Sequence, residues 1–148
     1  MCGRLIRQIR LALGGCGVYH LLLMNAHSPA ELHSLFRNSF NVGDVEALVS
    51  LYEPGATLIV GGMQVTGHDG IRAALHSVLA AGGRMTLTTR TVMESGDGLA
   101  LIHGEWVMER SAAGGTTRGV SSEVVRKQAD GTWRFVIDNP YTPTVAAA

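Results

Sequence analysis

The chain has 148 residues, 46% of them hydrophobic and 16% charged, with twelve Lys and Arg against twelve Asp and Glu. That is enough apolar chain to bury one core, which argues against both a disordered polymer and two packed domains. A net charge of zero leaves no basic excess to neutralise phosphates, so a nucleic-acid partner is not expected, and no uncharged apolar run approaches the ~18 residues that span a bilayer.

The charge is uneven along the chain. Arg4, Arg7 and Arg10 precede the first acid and both cysteines, Cys2 and Cys16, lie among them, so residues 24–148 hold nine basic and twelve acidic groups and no thiol. A body without disulfide, thiolate site or cysteine nucleophile fits a reducing cytoplasm, the expected location. Residues 1–23 read as a leader outside the fold. Gly14, Gly15, Gly17 and His20 break its apolar stretch, which makes a poor secretory signal, although Leu13-Gly14-Gly15-Cys16 echoes a lipoprotein box. An upstream extension ahead of a start at Met24, or a loose tail, are the other readings. The domain is expected over 24–142, followed by a flexible tail over 143–148.

Ser28-Pro29-Ala30-Glu31 has the form of a capping box with proline at the first helical position, and Leu32, Leu35, Phe36 and Phe40 follow at helical spacing. Asn41 to Asp44 breaks this helix and caps a second one carrying Val45, Leu48, Val49 and Tyr52. Glu53-Pro54-Gly55 ends the second helix, Ala56 to Val60 reads as a buried strand, and Gly61-Gly62 turns the chain. A third helix after Gly67 places Ile71, Ala74, Leu75, Val78 and Leu79 on one face and stops at Gly82-Gly83. Beyond it, turn residues separate four long Thr- and Val-rich segments, near 84–94, 98–110, 116–127 and 132–139, which predict an antiparallel meander. The fold class is therefore α+β, with three N-terminal helices packed into the concave face of a curved antiparallel sheet.

Asn41 to Leu48, Leu51 to Thr57 and Val65 to Ile71, followed by Glu123-Val124-Val125-Arg126-Lys127-Gln128-Ala129-Asp130-Gly131-Thr132-Trp133-Arg134-Phe135, resemble the nuclear transport factor 2-like superfamily, in its SnoaL-like branch, over about residues 28–140. The resemblance implies a cone-shaped α+β barrel, commonly dimeric, with a pocket between helices and sheet. Function does not follow from that fold, which carries isomerases, dehydratases, cyclases, epoxide hydrolases and association domains alike. The superfamily's best-understood chemistry is that of ketosteroid isomerase, where an Asp base works with an oxyanion hole of Tyr and a protonated Asp. By local matching its tyrosine falls on Phe36, its base on Val60 and its oxyanion acid on Glu123. Two of the three roles are lost, so a ketosteroid isomerase mechanism is not expected.

Strand parity places Ile102, Gly104, Trp106 and Met108 inward and His103, Glu105 and Glu109 outward. A hairpin about Asp130-Gly131 brings Glu123 opposite Asp138, and the resemblance turns both toward the pocket. Two carboxyls so close titrate as a pair, one of them protonated near neutrality and usable as an acid. Parity in the last strand opposes this, because Trp133, Phe135 and Ile137 form its apolar side, unless a bulge intervenes or an apolar outer face meets a second copy. The structural alternatives are pairing of Glu123 with Arg118, Arg126 or Arg134 and a strand-end cap by Asp138. Phe36, Phe40, Val60, Met85, Ile102 and Trp106 are the expected lining, and Tyr52 is either a pocket hydroxyl or a core residue. His33, one helical turn before Phe36, could reach the pocket mouth, but the surface is the expected place for a lone helix histidine. His68 and His76 have no metal-ligand spacing, and there is no Walker loop, dinucleotide fingerprint or nucleophile elbow, so neither metal nor cofactor is expected.

Three functions stay open. One is a cofactor-independent isomerase, dehydratase or cyclase acting on a small apolar carbonyl or polyketide-like molecule through Glu123 and Asp138. The second is a non-catalytic binder of such a molecule, and the third an association module whose outer sheet face, with His103 and Glu105, forms a homodimer.

Overall fold

The computed structural model describes residues 24–110 and 114–142, so the leader 1–23 and the C-terminal tail 143–148 lie outside the described residues. Helices α1 (Pro29–Val42) and α2 (Val45–Ser50) lead into a hairpin of β1 (Tyr52–Val60) and β2 (Met63–Thr66). Helix α3 (Gly67–Ala80) follows, then strands β3 (Arg84–Glu94), β4 (Leu99–Arg110), β5 (Gly115–Lys127) and β6 (Trp133–Asn139).

Local chemistry accounts for the helix ends. Pro29 opens α1, but Ser28 makes no side-chain cap; Glu31 reaches one residue further back and accepts the His27 N–H at 2.7 Å. Gly43 closes the helix in the left-handed conformation, and Asp44 caps α2 through the Ala47 N–H at 2.9 Å. On their inner faces α1 buries Leu32 and Phe40, α2 buries Leu48 and Val49, and α3 buries Ile71 and Leu75.

The six strands form one sheet in the order β2-β1-β6-β5-β4-β3. The meander β3 to β6 is antiparallel as expected, but β1 joins β6 in parallel, so the sheet is mixed rather than antiparallel. Strands β2 and β3 are its two edges, and the ladder does not close into a barrel. Side chains of α1 pack on β3, β4 and β6, and those of α3 pack on β1 and β2. Asn41 ties α1 to the edge strand β3, accepting the Met85 N–H and donating to the Met85 carbonyl, each at 2.8 Å.

Two elements differ from the sequence-based expectation. Tyr52 belongs to β1 and not to the second helix, because β1 runs straight through Glu53-Pro54-Gly55. The strand tolerates Pro54 where its pairing with β6 skips, between Tyr52–Phe135 and Thr57–Ile137. Strand β2 was not foreseen, since Met63, Gln64 and Thr66 are exposed and leave no apolar run to read.

Candidate active site

The inward face of β5 sets Ser121 and Glu123 two residues apart, and the register pairs Glu123 with Asp138 of β6. The parity conflict in β6 is resolved by a bulge. Val124 pairs with Ile137 and Val125 with Phe135, so Val136 is an extra residue and the strand changes face across it. Trp133 and Phe135 point inward before the bulge and Asp138 points inward after it, leaving Ile137 44% exposed.

These carboxyls end a cavity of about 120 Å³ between the helices and the sheet. Phe36 and Phe40 line it from α1, Val60 from β1, Met85 from β3 and Trp106 from β4, together with Leu58, Leu75, Val78, Leu87, Met108 and Phe135. Ile102 and Tyr52 are not in the wall; both are fully buried beneath it. Phe36 stacks near Phe40 at 6.3 Å between ring centres and meets Phe135 edge-on at 6.2 Å. Trp106 is fixed by its indole N–H, which donates to the Pro140 carbonyl at 2.7 Å, and by an edge contact with the half-exposed Tyr141. The indole lies against Gly119, where an added Cβ would come within 2.5 Å of the ring.

Glu123 and Asp138 are 3% and 6% exposed, and each has one partner drawn from a different element. Tyr52 donates to Asp138 Oδ2 at 2.5 Å. His33 Nε2 lies 3.1 Å from Glu123 Oε2, and its Nδ1 lies 2.8 Å from the Thr89 hydroxyl. With Glu123 ionised, Nε2–H donates to it and Nδ1 accepts from Thr89, giving a continuous Thr89–His33–Glu123 chain. Burial, and next the negative charge of Glu123, push Asp138 up to about 7, against the lowering pull of Tyr52 and His33. Burial beside the same two carboxyls holds the Tyr52 phenol well above its ordinary range, so it remains a donor.

Neither structural alternative for the carboxyls is realised. Arg126 pairs with Glu53 at 3.3 Å, leaving the buried imidazole, not an arginine, as the base beside Glu123. The turn after β6 is held by Asn139, whose side chain accepts the Tyr141 N–H, rather than by Asp138. His33 is buried, not at the surface as expected. Its spacing from Phe36 and Phe40 on one helical face was the available signal. A second signal was Gly104 inside a strand, where a side chain would stand 2.8 Å from both His33 Cε1 and Ser121 Oγ. Phe36 and Val60, at the places matched to the ketosteroid isomerase tyrosine and base, line the cavity but cannot ionise. Among the described residues no group of three or more His, Cys, Asp or Glu side chains could hold a metal ion.

Helices over one face of a curving mixed sheet, enclosing an apolar cavity that ends in buried carboxyls, place the molecule in the nuclear transport factor 2-like class. A protein of unknown function of that class from Shewanella oneidensis superposes with a TM-score of 0.64 at 24% identity, covering 73% of this chain and 91% of its own. A ketosteroid isomerase-like protein from Erwinia carotovora atroseptica gives 0.62 at 20% identity, covering 73% and 88%. One from Thiobacillus denitrificans, provisionally named a calcium/calmodulin-dependent protein kinase type II association domain, gives 0.68 at 15%, covering 79% and 96%. Residues 25–136 match the SnoaL-like domain model, and the chain belongs to that family. No curated protein matches the sequence significantly.

Proposed function

We propose that the cavity binds a small, mostly apolar carbonyl or polyketide-like molecule and that Asp138, coupled to Glu123, acts on it as an acid–base group of the isomerase, dehydratase or cyclase kind. The observation that carries this reading is a pair of buried carboxyls facing each other in the cavity wall, with burial and the charge of Glu123 pushing Asp138 up to about 7. Tyr52, beneath the wall, and His33, within it, are positioning residues, each holding one carboxyl. The size of the cavity supports a small ligand: 120 Å³ is close to the ~150 Å³ that accommodates benzene in an engineered core.

The test is carbon-13 carboxyl titration of the wild type, Asp138→Asn and Glu123→Gln. One carboxyl titrating above about pH 6 that falls toward 4 when the other is neutralised supports the pair. Independent titration of both near 4 rules it out.

A second reading, self-association, has its own observation. Met93, Leu101, Val124 and Ile137 are register partners across four strands on the outward face, and Met93 and Ile137 are 48% and 44% exposed. A second copy of the chain covering this row would form a homodimer while leaving the cavity untouched. Sedimentation equilibrium showing a dimer that Ile137→Lys dissociates supports it; a monomeric wild type removes it.

A further inference from the structure

Ser121 is 2% exposed, its hydroxyl has no hydrogen-bond partner among the described residues, and it stands in the cavity wall two residues before Glu123 on the same face of β5. A buried hydroxyl without a partner costs free energy, which an alanine in place of the serine would avoid. Ser121 Oγ and the Cε1 edge of the His33 ring both border the space left by Gly104, where a Cβ would come within 2.8 Å of each. The imidazole itself is committed through both nitrogens to Thr89 and Glu123, so it cannot turn to satisfy the serine.

Resting on the acid–base reading above, we infer that Ser121 is a ligand-recognition residue and that the ligand carries two oxygens: one at the Glu123–Asp138 pair and a second, within a few ångströms, that hydrogen-bonds to Ser121. The substrate class narrows accordingly from a simple carbonyl to a hydroxycarbonyl or similarly dioxygenated compound. The alternating inward positions of one strand set the separation, because residues i and i+2 are ~7 Å apart along the backbone and the glutamate side chain is the longer of the two. Most of the wall, including Phe36, Trp106 and Met108, is apolar; its other polar members are His33, already committed to Thr89 and Glu123, and Arg110, Thr117 and Tyr141. A site with an unpaired hydroxyl of this kind discriminates by leaving that group unsatisfied when the ligand lacks the matching oxygen.

The experiment compares cyclohexanone with 3-hydroxycyclohexanone, titrated by protein-observed NMR into the wild type and Ser121→Ala. The hydroxy ketone is expected to bind the wild type about five- to tenfold more tightly than the ketone, and the advantage to vanish in Ser121→Ala with ketone binding unchanged. Without ligand, Ser121→Ala is expected to melt about 2 °C or more above the wild type, because it removes an unpartnered buried hydroxyl. Equal affinities of both compounds for the wild type, or a preference that survives in Ser121→Ala, would overturn the assignment while leaving the acid–base reading standing. Failure of both compounds to bind the wild type would sink the two together. A lower melting temperature in Ser121→Ala would show that the hydroxyl has a partner within the protein, and that too would overturn it.

Discussion

Asp130 and Asp138 sit at the two ends of the last hairpin strand, and their carboxyls are driven in opposite directions. At the open turn Asp130 accepts from the Thr132 hydroxyl at 2.6 Å and the Thr132 N–H at 3.0 Å, which favours the charged form and holds it below its ordinary value. At the cavity Asp138 also has a good donor in Tyr52, yet burial and the charge of Glu123 outweigh it and the value rises to about 7. The same side chain is thus a charged turn anchor in water and a carboxyl driven toward its protonated form in a cavity. What separates them is desolvation and a like charge, not the presence of a hydrogen bond.

The contrast can be broken most forcefully at the partner of a buried carboxyl. Replacing His33 with alanine removes the donor to Glu123 in a site 3% exposed, and should cost about 3 kcal/mol in urea unfolding at pH 7. Arg72→Ala, which frees the exposed Glu46, should leave the urea midpoint nearly unchanged, because water screens that pair. Equal losses for the two would show that burial is not what distinguishes them.

A pH series sharpens the comparison next. Because the folded Asp138 titrates at about 7 and the unfolded chain near 4, folding retains a proton between those limits. Its contribution to stability is therefore complete below about pH 4 and is lost as the pH rises through 7, with a ceiling of order 4 kcal/mol. Asp138→Asn should abolish this decline and overtake the wild type in stability above neutrality. Asp130→Asn should do the reverse and lose stability relative to the wild type once the pH exceeds about 4, since its folded value is depressed. Parallel curves for wild type and Asp138→Asn would contradict the raised value.

Tyr52→Phe tests the donor alone. It removes the one hydrogen bond that favours charged Asp138, so the carboxyl should titrate still higher in carbon-13 spectra, at a cost of about 1 kcal/mol in stability. An unmoved titration would mean that the phenol does not reach the carboxyl in solution. The smallest effect on folding is expected on the outer face, where Ile137→Thr, at a position 44% exposed, should change stability by less than about 0.5 kcal/mol while weakening any association of two copies.

Much of the fold was legible because it is written in local chemistry. The helix periodicity of Leu32 to Phe40, the glycine turns and the alternation of Ile102, Gly104, Trp106 and Met108 each depend on neighbours a few residues away, and the strands they predict lie where expected. The pairing of Glu123 with Asp138 was legible for the same reason, since a hairpin register is counted outward from its turn.

The sequence by itself determined the α+β class, the element types apart from β2 and the start of β1, and the opposition of two carboxyls. Tertiary structure decided which way one of them points, through the bulge at Val136, and brought Tyr52 and His33 to the pair from 86 and 90 residues away. It also joined β1 to β6 in parallel, a pairing between distant segments that no local pattern encodes. The reason is physical: helix caps and turns are satisfied within a few residues, whereas the partner of a buried polar group is whatever the packed chain sets beside it.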